Sequence, residues 1–330
     1  MSHHNPKASR LAACVLMTLP TLSSYAWADQ ETWRLVAPRR CFFGGEKALL
    51  TIESAEGFEP SGHVAWSLED GGRVLDRGMT RVSEVSASKE AGVDRRQVAI
   101  PLPTVREGII RRVEWRMTTP DGGLLLRHEI WLYPREAFPS HDRWWETDPI
   151  HVFDPLGQTV ALLESQGVPV RPLRNLAAID PSSPGVVLVG QGVSLVEHPI
   201  LAEALTNAAR DGVQLLCLAP SEGDWQIEFG DATLDLTLRS KLALTRYDKR
   251  FDPLSVASPL QLVAHRGQVV LRCGRGQWSW LDLKYEKSAG RLLVCGLDFL
   301  DGWENSPVPR HLLSGMLKQL ATNASDKETE

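Results

Sequence analysis

The stretch DGVQLLCLAP, residues 211–220, decides how the second half of this chain is read. Asp211-Gly212 has the form of a helix end, because glycine takes the left-handed closing position without steric cost. VQLLCLAP is then a continuous apolar run of strand length, stopped by Pro220, as in strands buried on both sheet faces. Upstream, HPILAEALTNAARDG (198–212) carries helical apolar spacing with Pro199 near its first turn. Further out lie the strand-like runs IHVFDP (150–155), VPVRPL (168–173), PGVVLVGQG (184–192) and GRLLVCGLDF (290–299). Helical patterns occupy GQTVALLESQG (157–167), with apolar Val160, Leu162 and Leu163, and PVPRHLLSGMLKQLA (307–321). Strands alternating with helices over short connections predict right-handed βαβ units and a parallel sheet.

Residues 225–285 break the alternation. DWQIEFGDATLDLTL, PLQLVAH, GQVVLRCG and QWSWLDLKYEK read as further strands, antiparallel additions or an insertion.

The first half has no helical period. ALLTIES, HVAWSLED, RQVAIPLP, RRVEWRMTT and LLLRHEIWLY alternate at period two or are rich in β-branched and aromatic residues. Gly44-Gly45, Asp70-Gly71-Gly72 and Pro120-Asp121-Gly122-Gly123 separate them, dipeptides suited to hairpin turns with positive φ. Short strands at this spacing predict an antiparallel immunoglobulin-type sandwich of roughly 100 residues.

The N-terminus has the form of a signal peptide, residues 1–28. Lys7 and Arg10 precede the apolar LAACVLMTLPTL, and Ala26-Trp27-Ala28 offers a small-x-small cleavage site. The expected organisation is therefore the sandwich at 29–134, a proline-bounded linker at 135–149, the α/β domain at 150–322 and a charged, disordered tail at 323–330. Export would end in a periplasm or outside the cell.

Without residues 1–28, 34 basic residues face 41 acidic ones, a net charge of −7. A mildly acidic chain without a basic block is a poor partner for nucleic acid or an anionic membrane surface. Four cysteines remain, Cys41, Cys217, Cys273 and Cys295, too few for a disulfide framework. A Cys273–Cys295 bridge and burial as free thiols both stay open. No CxxC or HExxH occurs, so neither a metal site nor a cofactor is expected.

With DP-x-G after the first strand and LLCLAP after a helix, residues 150–320 resemble the class I glutamine amidotransferase-like, flavodoxin-like fold. The resemblance implies a cysteine nucleophile on a glycine-flanked strand-to-helix turn, G-x-C-x-G, with a histidine and glutamate from a later Q-F-H-P-E stretch. Cys217 falls at the nucleophile, but Leu215 and Ala219 flank it. In GLDFLDG, Asp298 stands for the glutamine, Phe299 for the phenylalanine and Leu300 for the histidine. Asp301 and Gly302 take the last two places. Leucine accepts no proton and glycine orients no base, so the weak catalytic candidate Cys217 is expected to be an inert thiol. Forms without the triad include the trimerisation domain of some β-galactosidases and trehalose-utilisation-like proteins. VAWSLEDGGRVLDRG, with Trp66, Asp70 and Gly72, is similar to sandwich domains accompanying glycoside hydrolases of family two. The two resemblances together imply a carbohydrate-linked accessory protein, a polysaccharide-processing partner and a possible homo-oligomer.

Three further groups are candidate binding residues. Trp144 and Trp145, in HDRWWETD, offer faces that stack on sugar rings, or else seal a domain interface. Trp278 and Trp280 are two apart on one strand and predict a paired aromatic platform, or sheet-face packing. Asp298, Asp301 and Glu304, with Trp303 and Asn305, gather at the carboxyl end of a sheet strand, where open α/β sheets bind ligands. Two carboxylates there also permit a hydrolase. The loops DPLGQ and GQG (Gly190–Gly192) lack the spacing and lysine of a phosphate cradle.

Overall fold

The computed structural model describes residues 33–36, 39–54, 63–84, 95–147, 149–174, 179, 185–227, 234–240, 250–265 and 268–325. The signal-peptide expectation, residues 1–28, lies outside them.

Nine strands among the described residues build the N-terminal half. They are β1 (Trp33–Leu35), β2 (Cys41–Phe43), β3 (Lys47–Ser54), β4 (His63–Asp70), β5 (Arg73–Arg81), β6 (Ser83–Glu84), β7 (Arg95–Pro101), β8 (Arg111–Thr118) and β9 (Leu124–Tyr133). One sheet runs β1-β3-β7-β6 and the other β2-β9-β8-β4-β5. Lettered in chain order, these are the A-B-E-D and G-F-C sheets of an immunoglobulin sandwich, with a short strand added parallel to the last strand and one added beyond C. Alternation does the packing: Val64, Trp66 and Leu68 of β4 meet Val113, Trp115 and Met117 of β8 in one core. Trp66 also sets its partner across the pair. A Cβ on Gly78 would sit 2.9 Å from the indole, so only glycine fits opposite it. The β4–β5 turn uses Gly71 and Gly72 at φ +57° and +86°, the two positive values a tight hairpin needs.

The C-terminal half begins with β10 (Ile150–Phe153), α1 (Gln158–Ser165), β11 (Val170–Pro172), β12 (Val186–Val189), α2 (Leu201–Arg210) and β13 (Gln214–Leu218). There follow β14 (Gly223–Ile227), β15 (Leu234–Arg239), β16 (Leu260–His265), β17 (Gln268–Cys273), β18 (Trp280–Tyr285), β19 (Arg291–Cys295) and α3 (Pro307–Ser325). A seven-stranded sheet has the order β11-β10-β12-β13-β19-β18-β15. Its first five strands are parallel, and taken in chain order they stand 2-1-3-4-5. β18 and β15 extend it as an antiparallel wing. Every residue of β12, β13 and β19 is buried, because both faces are covered. On one face α2 and a separate sheet, β14-β17-β16, cover Val187, Leu215, Cys217 and Val294. On the other, α1 and α3 cover Leu188, Leu216, Leu293 and Cys295. The 225–285 region thus supplies both the antiparallel additions and a separate small sheet.

Two expectations change here. The 135–149 stretch is not a solvated tether: Ala137, Phe138 and Trp145 are buried in the core beneath α3. Helix α3 continues to Ser325, past the expected start of the tail at 323, and residues 326–330 lie outside the described set.

From Glu31 onward the chain packs as one unit. Asp252 accepts hydrogen bonds from the Arg40 and Cys41 amides at 3.0 and 2.8 Å, joining the sandwich to the C-terminal half. The Tyr133 hydroxyl and the Cys41 thiol both donate to the Arg250 carbonyl. Tyr133 lies 4.9 Å, ring to ring, from His311 of α3, and Arg310 stands 5.1 Å over Phe43.

Candidate functional site

Cys217 occupies the middle of the parallel sheet, in register with Val189 on one side and Val294 on the other. Its exposure is 0%. Burial, reinforced by the nearby Cys273 and Cys295, raises its pKa well above the ordinary thiol value. A thiol already mostly protonated near neutrality is thereby held further from the nucleophilic thiolate. Cys273 and Cys295 are pushed up to about 12 by burial, and all four described cysteines are free. The Cys273–Cys295 bridge does not form.

The strand-to-helix turn that the amidotransferase resemblance implies does not follow Cys217, since β13 leads into β14. Ala219 leaves β13 at φ +34°, one of two non-glycine residues in the left-handed range among those described. Its amide donates to the Cys295 carbonyl at 2.6 Å and its carbonyl accepts from Gly192 at 3.1 Å. Strain of this kind often marks a functional corner. Here the corner carries a methyl group.

At the carboxyl edge of the sheet the chemistry is turned inward. Asp298 Oδ1 accepts hydrogen bonds from Gln191 Nε2 (2.8 Å) and from the Leu300 and Asp301 amides (3.1 and 3.0 Å). Gln191 also accepts from the Phe299 amide, so the loops after β12 and β19 are locked together. Asp301 and Asn305 are exposed, and Arg39 donates to the Asn305 carbonyl. Trp303 is 2% exposed, and Glu304 is ion-paired with Arg310 at 2.7 Å. The five residues adjoin in sequence, yet only Asp301, Glu304 and Asn305 present side chains to solvent.

The tryptophan pairs are likewise divided. Trp145 is buried edge-on to Phe138 and Trp144, at 5.8 and 5.6 Å, and Trp144 packs partly on the same core. Trp278 and Trp280 do not form a platform. β18 starts at Trp280, whereas Trp278 pairs with Leu260 beside the smaller sheet. Consequently Trp278 packs on the α2 side and Trp280 on the α3 side.

Trp280 instead opens onto a cleft of about 380 Å³. The antiparallel wing, with Arg239, Trp280 and Asp282, and the adjoining start of β19, with Arg291, form its floor. One wall is α3, through His311, Leu312, Gly315, Met316 and Gln319; the other is Phe251 to Leu254, with Ile110 of the sandwich at the end. Asp282 and Arg291 make a two-pronged ion pair, 2.7 Å on each arm, with little exposure of either side chain. His311 Nε2 donates at 3.0 Å to the Pro134 carbonyl, and burial lowers its pKa. Sequence reading had reached Trp280 alone. Asp282 was legible beside it, two residues along a strand, but Arg291, Gly315 and Gln319 arrive from other elements.

Among the described residues no helix is long and apolar enough to cross a membrane. No known family model matches the sequence, and no curated protein is similar to it. Among solved structures, the chain is similar to the fibronectin(III)-like modules of Clostridium thermocellum CbhA, at 14% identity and a TM-score of 0.18, over 31% of this chain and 94% of that one. It is also similar to the mixed-linkage glucan utilization locus protein SGBP-B of Bacteroides ovatus, in complex with a heptasaccharide. There the identity is 11% and the TM-score 0.20, over 81% of this chain and 43% of that one. An endo-fucoidan hydrolase of glycoside hydrolase family 107 matches at 10% and 0.17, over 77% and 27%. Overlaps at these scores carry no argument about this chain, and its immunoglobulin topology rests on its own strand order.

Proposed function

We propose that this chain is an exported, non-catalytic accessory or binding protein linked to carbohydrate or polysaccharide processing. Its C-terminal half, from about residue 150, is read as a flavodoxin-like, amidotransferase-like domain that has lost its triad, joined at 135–149 to the sandwich. The 2-1-3-4-5 order of the parallel strands supports that ancestry. One observation carries the non-catalytic reading: the strained corner bears Ala219, while Cys217 and Cys295 beside it both have zero exposure. The hydrolase alternative has less support, because Asp298 is engaged as a loop cap and Glu304 is held by Arg310.

Labelling with a thiol reagent at neutral pH tests this. The native protein is expected to leave Cys217 unmodified, and denaturant to expose it. Rapid stoichiometric modification of native Cys217 would return the chain to the thiol enzymes.

A further inference from the structure

We propose that the cleft over the antiparallel wing is the ligand site, and that it takes a short, uncharged saccharide. This rests on the carbohydrate-binding reading above and assigns it a place and a ligand class. At about 380 Å³ the cleft sits at the small end of ligand pockets, which run from ~300 to ~1,000 Å³. It combines the two surfaces a sugar ring requires. The indole of Trp280 lines it as an apolar, flat face for C–H groups, flanked by Phe251 and Met316. Asp282 and Arg291 beside it supply acceptors and donors for hydroxyls, since each Asp282 oxygen keeps a lone pair after binding Arg291. The exposed Gln319 amide adds both kinds of group from α3.

The charge arrangement selects against ions. Asp282 is matched by Arg291, and Asp252 by Arg40 and two backbone amides. Arg239 and Arg250 are each engaged as well. An ionic ligand contending for Asp282, Arg291 or Asp252 would have to displace one of these partners, whereas a polyhydroxy ligand uses the donors and acceptors left over.

The helix wall carries an independent sign. Gly315 lies inside α3, where glycine weakens a helix, and a Cβ there would meet nothing within 4 Å. Packing does not require the glycine. Its effect is to keep the wall of the cleft low.

The test is an array of neutral and uronic-acid oligosaccharides of defined linkage, followed by calorimetric titration of the strongest binder. Trp280→Ala and Gly315→Leu are each expected to weaken binding roughly tenfold or more, with melting behaviour retained. Added salt is expected to leave affinity unchanged. Undiminished binding by both Trp280→Ala and Gly315→Leu would overturn the cleft while leaving a carbohydrate-binding protein. Preference for uronic-acid ligands with steep salt dependence would overturn the neutral class. Failure of the parent protein to bind any saccharide on the array would remove the function and the site together.

Discussion

At the scale of single residues, backbone geometry and close approach decide more than side-chain type. Ala289 and Gly290, in the turn between β18 and β19, show this in opposite directions. Ala289 is exposed and sits at φ +54°, a conformation costing a non-glycine residue ~1–2 kcal/mol. Ala289→Gly should therefore stabilise the protein, the relief outweighing the extra unfolded-chain entropy of ~0.4–1 kcal/mol. A Cβ on Gly290 would stand 1.8 Å from the Ala209 carbonyl oxygen, where α2 ends. Gly290→Ala should cost ~3 kcal/mol or more, since backbone must move to admit it. Chemical denaturation of the two variants checks both signs, and a neutral Gly290→Ala would show that the α2–β19 contact yields easily. Neither position announces itself in the sequence. Ala289 reads as an ordinary alanine, and the partner of Gly290 is about eighty residues away. The same holds for Ala219, whose strain comes from bonds to Gly192 and Cys295.

At the scale of elements, the periodicities carried well where one face had to be buried. β4 and β8 alternate as read, and β12, β13 and β19 are continuous apolar runs because the sheet is covered twice. Period two failed at Trp278 and Trp280 for a physical reason: the chain changes sheets between them, and a residue's face is defined only within one ladder. α3 offers the element-scale prediction. With open space around its Cβ, Gly315→Ala should raise stability by ~1 kcal/mol through helix propensity alone, read as a higher denaturation midpoint. A loss of stability would mean that the cleft wall is packed against something there.

At the scale of the molecule, the junction between the two halves is built from Cys41, Tyr133, Val308 and the residues around Asp252. His311 and His128 sit at or near this framework, and His151 lies apart on β10. Burial lowers the pKa of His128, His151 and His311 below the ordinary value near 6.5. Well above pH 6.5 these rings are neutral in folded and unfolded chains alike and contribute nothing. As pH falls below that value the unfolded chain takes up protons that the folded one refuses, so stability declines. The midpoint of unfolding should thus drop between pH 7 and pH 5, before the carboxylates act. Glu53, held low by Arg95 and Arg34, and Glu114, held low by Arg127 and Arg116 against the opposing effect of burial, add a further loss as pH falls through the usual carboxylate range and below it. His311→Phe should flatten the slope between pH 7 and 5, as followed by melting at each pH. An unchanged slope would assign the effect to His128 and His151.

The sequence alone determined the alternating strands of the sandwich, the apolar runs that become central strands, and that GLDFLDG carries no histidine. Those are local properties, set by side-chain period and residue identity along one segment. Tertiary structure decided which side chains meet. It placed Ala219 on the strained corner, turned Asp298 into a loop cap and set Trp145 and Trp303 in the core. It also drew Trp280, Asp282, Arg291 and Gly315 together from three elements. Strand pairing and helix docking join residues far apart in the chain, and no local period encodes which distant face will lie across from a given one.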